Sequence, residues 1–372
     1  MSTITHLFGY ATGGAGYPMA NYNILILGAS YGSLLGIKLA LAGHKVNMAC
    51  LPEEVELFNA EGARVRLPVR GLEKPVEINS RIAKGQLSAE TTNTIDPSEY
   101  DLVALAMQEP QYQSPGVREL LDLVAKAKIP CMSIMNMPPL PYLARIPGLD
   151  VGILTNCYTD HTVWNSFDPA LVTLCSPDPQ AFRPPEEKIN LLQVGLPTNF
   201  KVARFDSDKY TSILRQLETD IDAIRYEVDG NKIELPVKLR VHDSLFVPLA
   251  KWNMLLTGNY RCVQKNEMQP IKDAVHSDPG LSRSVYNFVG KVCQSIGASE
   301  EDQVPFEKYA KAAERLLKPS SAARALLAGA RNIERTDLLV QTIAAQKGMQ
   351  SDTVDETVAL VDHWLEGNRE KT

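Results

Sequence analysis

A glycine-containing turn near the start of the chain combines residue types that could do chemistry. The segment NILILGASYGSLLG (residues 23–36) leads from an apolar run into a helical pattern. Read as strand, turn and helix, it predicts a site for the pyrophosphate of a dinucleotide, because the amino end of a helix offers unpaired N–H groups and positive charge. Read as G-x-S-x-G, it predicts a nucleophile elbow with Ser30 as the attacking hydroxyl.

The position of this turn favours dinucleotide binding over the elbow. An elbow serine follows several strands, whereas Ser30 follows the first one, and no downstream acid and histidine stand out as its partners. The dinucleotide motif is itself imperfect, since Ser30 replaces the second glycine and the loop is one residue short. The predicted cofactor-binding loop consists of Gly28, Ala29, Ser30, Tyr31 and Gly32.

The segments that follow alternate between short apolar runs and helical patterns. Runs typical of buried strands occupy residues 24–27, 44–50, 101–107, 129–136 and 150–157. Helical patterns occupy residues 32–43, 53–62 and 116–128. Strands that alternate with helices predict an α/β fold, a Rossmann-type, doubly wound parallel sheet.

Beyond about Tyr226 the patterns are almost entirely helical, which predicts an all-α C-terminal domain. We therefore divide the chain into an N-terminal extension (residues 1–22), a dinucleotide-binding domain (residues 23–228) and a helical domain for substrate binding and dimerisation (residues 229–372). The length of 372 residues agrees with two domains, since single cores rarely grow so large.

Composition argues against several classes of function. The net charge is −6 and no long basic run is present, so we expect no nucleic-acid binding. No apolar run reaches the roughly 20 residues of a membrane span, and the N-terminus does not resemble a signal peptide. The six cysteines form no C-x-x-C pair and the histidines show no ligand spacing. We predict free thiols, a cytoplasmic location and no metal site.

Four segments together resemble the ketopantoate reductase family. ILGASYGSLLGIKLALAGHKV is similar to its opening strand, loop and helix, and CMSIMN ends on a matching asparagine. The start of the family's helical domain, where a lysine precedes an asparagine by eight residues, is similar to LAKWNMLLTGNY. A late segment of the family with serines and a glutamate is similar to PSSAARALLAGARNIERTD. The matching residues outside the loop are Asn136, Lys251, Asn259, Ser320, Ser321 and Glu334.

The resemblance implies a reductase that converts a 2-oxo acid into a 2-hydroxy acid with NADPH. Lys251 would be the general acid, a role that suits the lysine residue type because burial can bring the pKa of an ammonium group toward neutrality. Asn136 would bring substrate and nicotinamide together, and Glu334 would orient the lysine or touch the cofactor. The residues expected to bind the small-molecule substrate are Asn259, Ser320, Ser321 and Arg324, with Arg261 and Arg331 as further candidates for a carboxylate clamp.

Several positions depart from the family pattern. Leu51 stands where the family has an arginine for the 2′-phosphate of NADPH, so the preference between NADP and NAD stays open. Gln108 replaces a lysine, although Gln111 matches, and both would lie beside the cofactor. A proline-rich stretch, MPPLPY, replaces glycines after Asn136. These changes predict a substrate other than ketopantoate.

The sequence leaves two alternative functions open. An opine-type dehydrogenase would need a histidine–aspartate couple at the domain junction, where the chain has His242 and Asp243. A non-catalytic nucleotide-binding protein would explain the missing loop glycine and the missing arginine, but it leaves Lys251, Asn136 and Asn259 without a role.

Overall fold

The computed structural model describes residues 21–371, so residues 1–20 of the predicted extension lie outside it. The strands are β1 Asn23–Leu27, β2 Lys45–Ala49, β3 Arg64–Leu67, β4 Val76–Asn79, β5 Gln86–Glu90, β6 Leu102–Leu105, β7 Cys131–Ile134, β8 Val172–Ser176, β9 Gln180–Phe182, β10 Leu191–Leu196, β11 Phe200–Ala203, β12 Tyr226–Val228, β13 Asn231–Ile233 and β14 Leu239–His242. The helices are α1 Gly32–Ala42, α2 Pro52–Glu61, α3 Val117–Ala127, α4 Leu140–Leu143, α5 Asp208–Asp222, α6 Lys251–Met254, α7 Ile271–His276, α8 Pro279–Ser295, α9 Phe306–Ala313, α10 Ser321–Leu327, α11 Thr336–Gln346 and α12 Asp352–Glu370.

The large sheet has eight strands in the order β14-β11-β8-β7-β6-β1-β2-β5. All neighbours are parallel except β11 and β8, which run antiparallel. Strand β1 lies between β2 and β6, with Ile24 opposite Val46 on one side and Leu102 on the other. Its apolar residues are buried because both sheet faces are covered, and the predicted doubly wound sheet is confirmed.

A second sheet has four strands in the order β4-β3-β10-β9. It forms because the hairpin of β3 and β4, which follows α2, pairs in parallel with the distant strand β10. Strand β9 then pairs antiparallel with β10 and extends this sheet. The consequence for the site is that a segment far along the chain returns to the neighbourhood of α2.

The helical part begins at Lys251 and is built from α6 to α12. Helix α6 continues into a π-helical turn, Leu255–Asn259, and then into a 3₁₀ turn, Tyr260–Cys262. The predicted domain boundary at residues 228/229 precedes two further strands, and β14 pairs in parallel with β11 at the edge of the large sheet. The sheet therefore continues to His242, and the purely helical part starts later than the sequence pattern indicated.

The strand predicted at residues 150–157 is wrong. These residues form a 3₁₀ helix, Gly152–Cys157, and β8 takes the place beside β7. The Asp150 side chain accepts a hydrogen bond from the Gly152 N–H (2.9 Å) and so starts a turn. Leu154 and Cys157, three residues apart, are the buried positions, a spacing that suits 3₁₀ geometry. The apolar run alone did not distinguish the two structures.

Two apolar clusters flank the large sheet. One fills the face covered by α1 and α5, and the other joins the opposite face to the helical part of the chain. All six cysteines are free, and five of them are buried in or beside these clusters. Across residues 21–371, no helix is both long enough and apolar enough to cross a bilayer.

Candidate active site

Six parallel strands, which are β5 and the five named next, end at the same edge of the large sheet, which is where ligands bind in open α/β folds. The strands β8, β7, β6, β1 and β2 lie side by side in that order. The residues that follow their carboxyl ends include Asp178, Asn136, Gln108, Gly28 and Leu51, respectively. Four of these five were predicted from the sequence, and the topology brings them to one edge.

The glycine turn fits a diphosphate group. Gly28 has a φ of +104°, and a Cβ atom there would lie 2.6 Å from Met107 Cγ and 2.9 Å from the Ala106 carbonyl oxygen, so a side chain is excluded. The backbone N–H groups of Ser30 and Tyr31 donate no hydrogen bond to other groups of residues 21–371. They stand at the amino end of α1, an eleven-residue helix, and so offer free donors to an anion.

The Ser30 hydroxyl has no histidine or carboxylate partner among the described residues, and its side chain is exposed. A nucleophile elbow requires a base within hydrogen-bond reach of the serine. The turn after β1 therefore has the geometry of an anion site and lacks that of a hydrolase.

One segment crosses the carboxyl edge of the sheet from β8 toward α2. We call residues 177–183, which include β9, the strap. The Tyr31 hydroxyl donates a hydrogen bond to the Pro179 carbonyl oxygen in the strap (2.7 Å). The Tyr31 ring also packs edge-on against Phe200, with the ring centroids 5.9 Å apart. The strap thus contacts Tyr31, one of the two residues that offer a free N–H group to an anion.

Lys251 meets the strap from the helical side. Its ammonium lies 3.4 Å from the Asp178 carboxylate, and the two side chains are only 15 % and 12 % exposed. Lys201 contacts the other oxygen of the same carboxylate at 3.0 Å. Burial raises the pKa of Asp178, but the two ammonium groups outweigh that effect and hold it below its usual value. Lys251 is therefore held at the sheet edge by a charged partner.

Asn136 and Glu334 are brought together across 198 residues of sequence. The Asn136 Nδ2 group donates a hydrogen bond to Glu334 Oε2 (3.1 Å). The Asn136 Oδ1 atom is buried and accepts no hydrogen bond within residues 21–371. An unpaired buried acceptor is costly, and at a candidate site it is an available partner for a hydroxyl or amide donor of a ligand. Lys251 makes no hydrogen bond or ion pair with Asn136 or Glu334.

Glu109 is a second buried carboxyl group at this place. Its backbone N–H donates to Glu334 Oε1 (3.4 Å), and its carboxylate accepts from the N–H (3.0 Å) and hydroxyl (2.8 Å) of Thr159. Burial raises the pKa of Glu109 to about 7. Burial, together with the nearby charge of Glu109, also raises the pKa of Glu334 to about 7. No sequence motif marks Glu109, although it directly follows Gln108.

The helix that starts at Lys251 also positions Asn259. In a regular α-helix, two residues eight positions apart differ in direction around the helix axis by about 80°. A single π insertion reduces this difference to about 20°, so Lys251 and Asn259 lie on nearly the same face. Lys251 and Asn259 are partly exposed, while Leu255–Gly258 are buried. The Asn259 carbonyl oxygen accepts from the Ser320 hydroxyl (2.7 Å), and the Asn259 side chain makes no hydrogen bond with the described part of the chain.

The remaining predicted substrate residues differ in their surroundings. Ser320 is buried and caps α10 by accepting from the Ala323 N–H (3.1 Å), so its hydroxyl is committed to structure. Ser321 and Arg324 are exposed on α10. Arg261 donates to the Ser282 hydroxyl (2.8 Å) and to the Thr257 carbonyl oxygen (3.2 Å). Arg331 lies on the surface.

Three further residues expected beside the cofactor lie at or near the amino ends of a helix and a 3₁₀ turn. Leu51 is exposed at the start of α2, and Gln108 and Gln111 are exposed at a 3₁₀ turn, where Gln111 Oε1 accepts from the Gln108 N–H (2.9 Å). The Leu51 N–H donates to Glu54 Oε2 (3.1 Å). Glu54 forms an ion pair of 2.6 Å with Arg183, the last residue of the strap.

The histidine–aspartate couple of an opine-type enzyme does not form here. His242 ends β14, and Asp243 pairs instead with Arg215 at 2.8 Å on α5. Burial is the main cause that lowers the pKa of His242, and nearby cations contribute.

Two cavities lie away from the carboxyl edge of the sheet. One, of about 400 Å³, lies beside α5, and the other, of about 240 Å³, lies at the amino ends of β1 and β2. Neither is lined by the residues at the carboxyl edge described above.

Solved structures of known proteins share the fold of this chain. The chain is similar to 2-dehydropantoate 2-reductase from Methylococcus capsulatus, with 13% identity, a TM-score of 0.63 and coverage of 94% of this chain and 98% of that one. It is similar to a D-mandelate dehydrogenase in a ternary structure with NADH and anilino(oxo)acetate, with 13% identity, a TM-score of 0.60 and coverage of 93% and 99%. A dimeric ketopantoate reductase from Staphylococcus aureus has 9% identity, a TM-score of 0.58 and coverage of 93% and 99%.

No family model matches the chain, and the search of curated proteins found no match. At such low identity the similarity establishes the fold, which is the Rossmann-type sheet plus helical region of ketopantoate reductases. The resemblance predicted from four sequence segments is confirmed at this level. A shared fold does not fix the chemistry, which depends on the residues of the site.

Proposed function

We propose that this protein is an NAD(P)-dependent oxidoreductase that interconverts a carbonyl and a hydroxyl group on a small anionic substrate of the 2-oxo acid type. The observation that carries the proposal is the meeting of Asn136, Glu334 and Glu109 at the carboxyl edge of the sheet, with an unpaired acceptor on Asn136. The free N–H groups at the amino end of α1 stand at the same edge.

The residues divide into cofactor-holding and substrate-holding groups. The turn from Gly28 to Gly32 would hold the pyrophosphate of the dinucleotide, which supplies a hydride when bound. Asn136 would accept a hydrogen bond through Oδ1 while Glu334 holds its amide in place. The Asn259 amide, which is partly exposed, would bind the substrate.

Lys251 acts in this proposal as the general acid in reduction and as the base in oxidation. Its Nζ atom delivers a proton to the substrate oxygen as the carbonyl carbon becomes tetrahedral. Asp178 keeps the ammonium at the sheet edge, since the two groups lie 3.4 Å apart and are largely shielded from water. Asp178 is therefore a positioning residue.

Replacing Lys251 tests this assignment, and the chain offers a matched control. Lys201 contacts the same Asp178 carboxylate but starts from β11 in the sheet. We expect Lys251→Met to lower turnover of 2-oxo acids at least 100-fold, because general acid catalysis contributes about 10²–10⁴-fold, while dinucleotide affinity changes little. Turnover of the same 2-oxo acids by Lys201→Met should fall by less than about tenfold. The oxidation of NADH and NADPH is followed by absorbance with a panel of 2-oxo acids.

Different results would contradict different parts of the proposal. Equal losses of turnover in both lysine variants would mean that activity depends on having two cations beside the Asp178 carboxylate. Lys251 would then not be the general acid. Full activity in Lys251→Met would remove the proposed mechanism. A failure of the wild-type chain to bind either dinucleotide would contradict the cofactor assignment as a whole.

The proposal also covers the oligomeric state and the cellular location. We infer a homodimer formed through the helical part, because the Staphylococcus aureus neighbour is described as dimeric. We also infer a cytoplasmic enzyme, because six free cysteines suit a reducing compartment.

A further inference from the structure

We propose that Arg183, in the strap, binds the 2′-phosphate of NADPH and thereby makes this protein prefer NADPH to NADH. The inference rests on the proposed dinucleotide site. The arginine that the sequence lacks after β2 would then be supplied by a residue 132 positions beyond Leu51 in the chain.

The fold carries Arg183 to the carboxyl end of β2. Strand β9 pairs with β10, β10 pairs with β3, and β3 follows α2 directly. The guanidinium Nη1 atom reaches Glu54 Oε1 at 2.6 Å in the first turn of α2. Proteins with a dinucleotide at such an edge bind the adenosine ribose beside the residues that follow β2, where a carboxylate selects NAD and an arginine selects NADP.

Glu54 is not available to select NAD. Its Oε2 atom accepts from the Leu51 N–H at 3.1 Å, and its Oε1 atom is paired with Arg183. Both oxygens are therefore used within the protein, and the side chain is only 10 % exposed. The other carboxylate in this turn is Glu53, which is exposed and has no partner among the described residues.

Arg183 has donors left over. A guanidinium has five N–H groups, and the ion pair with Glu54 uses one side of it. The Nη2 atom is buried and makes no hydrogen bond within residues 21–371. The side chain as a whole is 25 % exposed, and the ion pair with Glu54 fixes the position of its guanidinium. An arginine that is held in this way loses little freedom when it binds a phosphate.

The competing interpretation is structural: Arg183 and Glu54 would only attach β9 to α2. Cofactor binding separates the two interpretations. The dissociation constants of NADPH and NADH are measured by tryptophan quenching for the wild type, Arg183→Met and Arg66→Met. Arg66 is the matched control because it lies in the same small sheet, pairs with Glu77 and Glu187, and is 29 % exposed.

We expect the wild type to bind NADPH more tightly than NADH. Arg183→Met should weaken NADPH binding by about tenfold or more, because a charge-assisted bond to the phosphate is lost, and change NADH binding by less than about twofold. Arg66→Met should change neither constant. Tighter wild-type binding of NADH, or equal weakening of both cofactors in Arg183→Met, would overturn the inference.

A second variant keeps the inference testable if Arg183→Met folds poorly. Glu54→Gln removes the charge that competes with the phosphate but retains an amide oxygen for the Leu51 N–H. We expect it to tighten NADPH binding several-fold with NADH unchanged, and unchanged or weaker NADPH binding would overturn the inference. If the wild type binds both dinucleotides equally well, only the assignment of Arg183 fails. If it binds neither, the proposed function itself fails.

Discussion

Two buried carboxyl groups, those of Glu109 and Glu334, lie close together where the sheet meets the helical part. Both are held by neutral donors, Thr159 in one case and Asn136 in the other. A carboxyl group without a cationic partner in a buried position favours its protonated form. The two residues therefore form a pair that titrates near neutral pH, with pKa values raised to about 7.

These raised pKa values predict how stability depends on pH. Between about pH 4.5 and pH 7 the folded protein binds more protons than the unfolded chain, so its free energy of unfolding falls as the pH rises through 7. We expect Glu109→Gln to flatten this decline, because one of the two groups no longer ionises. Urea unfolding at several pH values between 5 and 8 measures the effect. Glu73→Gln, at an exposed position, is the control. A decline in Glu109→Gln as steep as in the wild type would contradict the pairing.

At the scale of single elements, α1 carries an unusual buried charge. Lys38 is 2 % exposed, and its ammonium donates to the Pro236 carbonyl oxygen. Burial, and then the nearby Lys238, lowers the pKa of Lys38 to about 7. The helix that presents the anion site at its amino end is thus attached by a lysine side chain to the segment before β14.

Replacing Lys38 by an apolar residue should stabilise the folded protein, and the gain should depend on pH. Its folded pKa lies below the ordinary value of 10.5, so the unfolded chain binds more protons between pH 7 and pH 10.5, and stability rises with pH in that range. We expect Lys38→Met to increase the unfolding free energy by about 1 kcal/mol at pH 6 and by less at pH 9. Denaturant midpoints at both pH values measure it. Lys45→Met, at the exposed first position of β2, should change the free energy of unfolding by less than about 0.5 kcal/mol. A destabilised Lys38→Met variant at pH 6 would show that the bond to Pro236 matters more than the cost of burying the charge.

At the scale of the whole molecule, the helical part presents apolar side chains that nothing in the described chain covers. Leu317 is 67 % exposed and Leu327 is 59 % exposed, just before α10 and at its end. These two leucines lie in the helical part, which is where we place the dimer contact.

We expect light scattering coupled to gel filtration to give a mass twice the 41.0 kDa of one chain. The double variant Leu317→Glu, Leu327→Glu should shift the mass toward one chain, because burying two carboxylates at an interface is costly. The matched control is Leu51→Glu, which is equally exposed but lies in the sheet domain. A monomeric wild type, or a dimer that the double variant leaves intact, would contradict this placement.

The elements that depend on local patterns could be predicted from the sequence. Apolar runs such as residues 24–27 become strands buried on both faces, and the glycine at position 28 is needed because the chain turns with positive φ. Short helices and 3₁₀ turns are less certain, because an apolar run such as residues 150–157 can be buried in either form. Asn136, Lys251 and Asn259 were singled out by the resemblance of short segments to the ketopantoate reductase family.

Only the tertiary structure decided which charged groups meet. Asp178, Glu109 and Arg183 carry no local signal, since an acid or an arginine in a loop is usually solvated. Their partners Lys251, Glu334 and Glu54 lie between 73 and 225 residues away in the chain. Whether such groups meet depends on strand order and on the route of the strap, and both are set by packing over the whole molecule. The sequence determined a dinucleotide-type fold with a candidate lysine, and the three-dimensional contacts decided what surrounds that lysine and which arginine lies beside the first turn of α2.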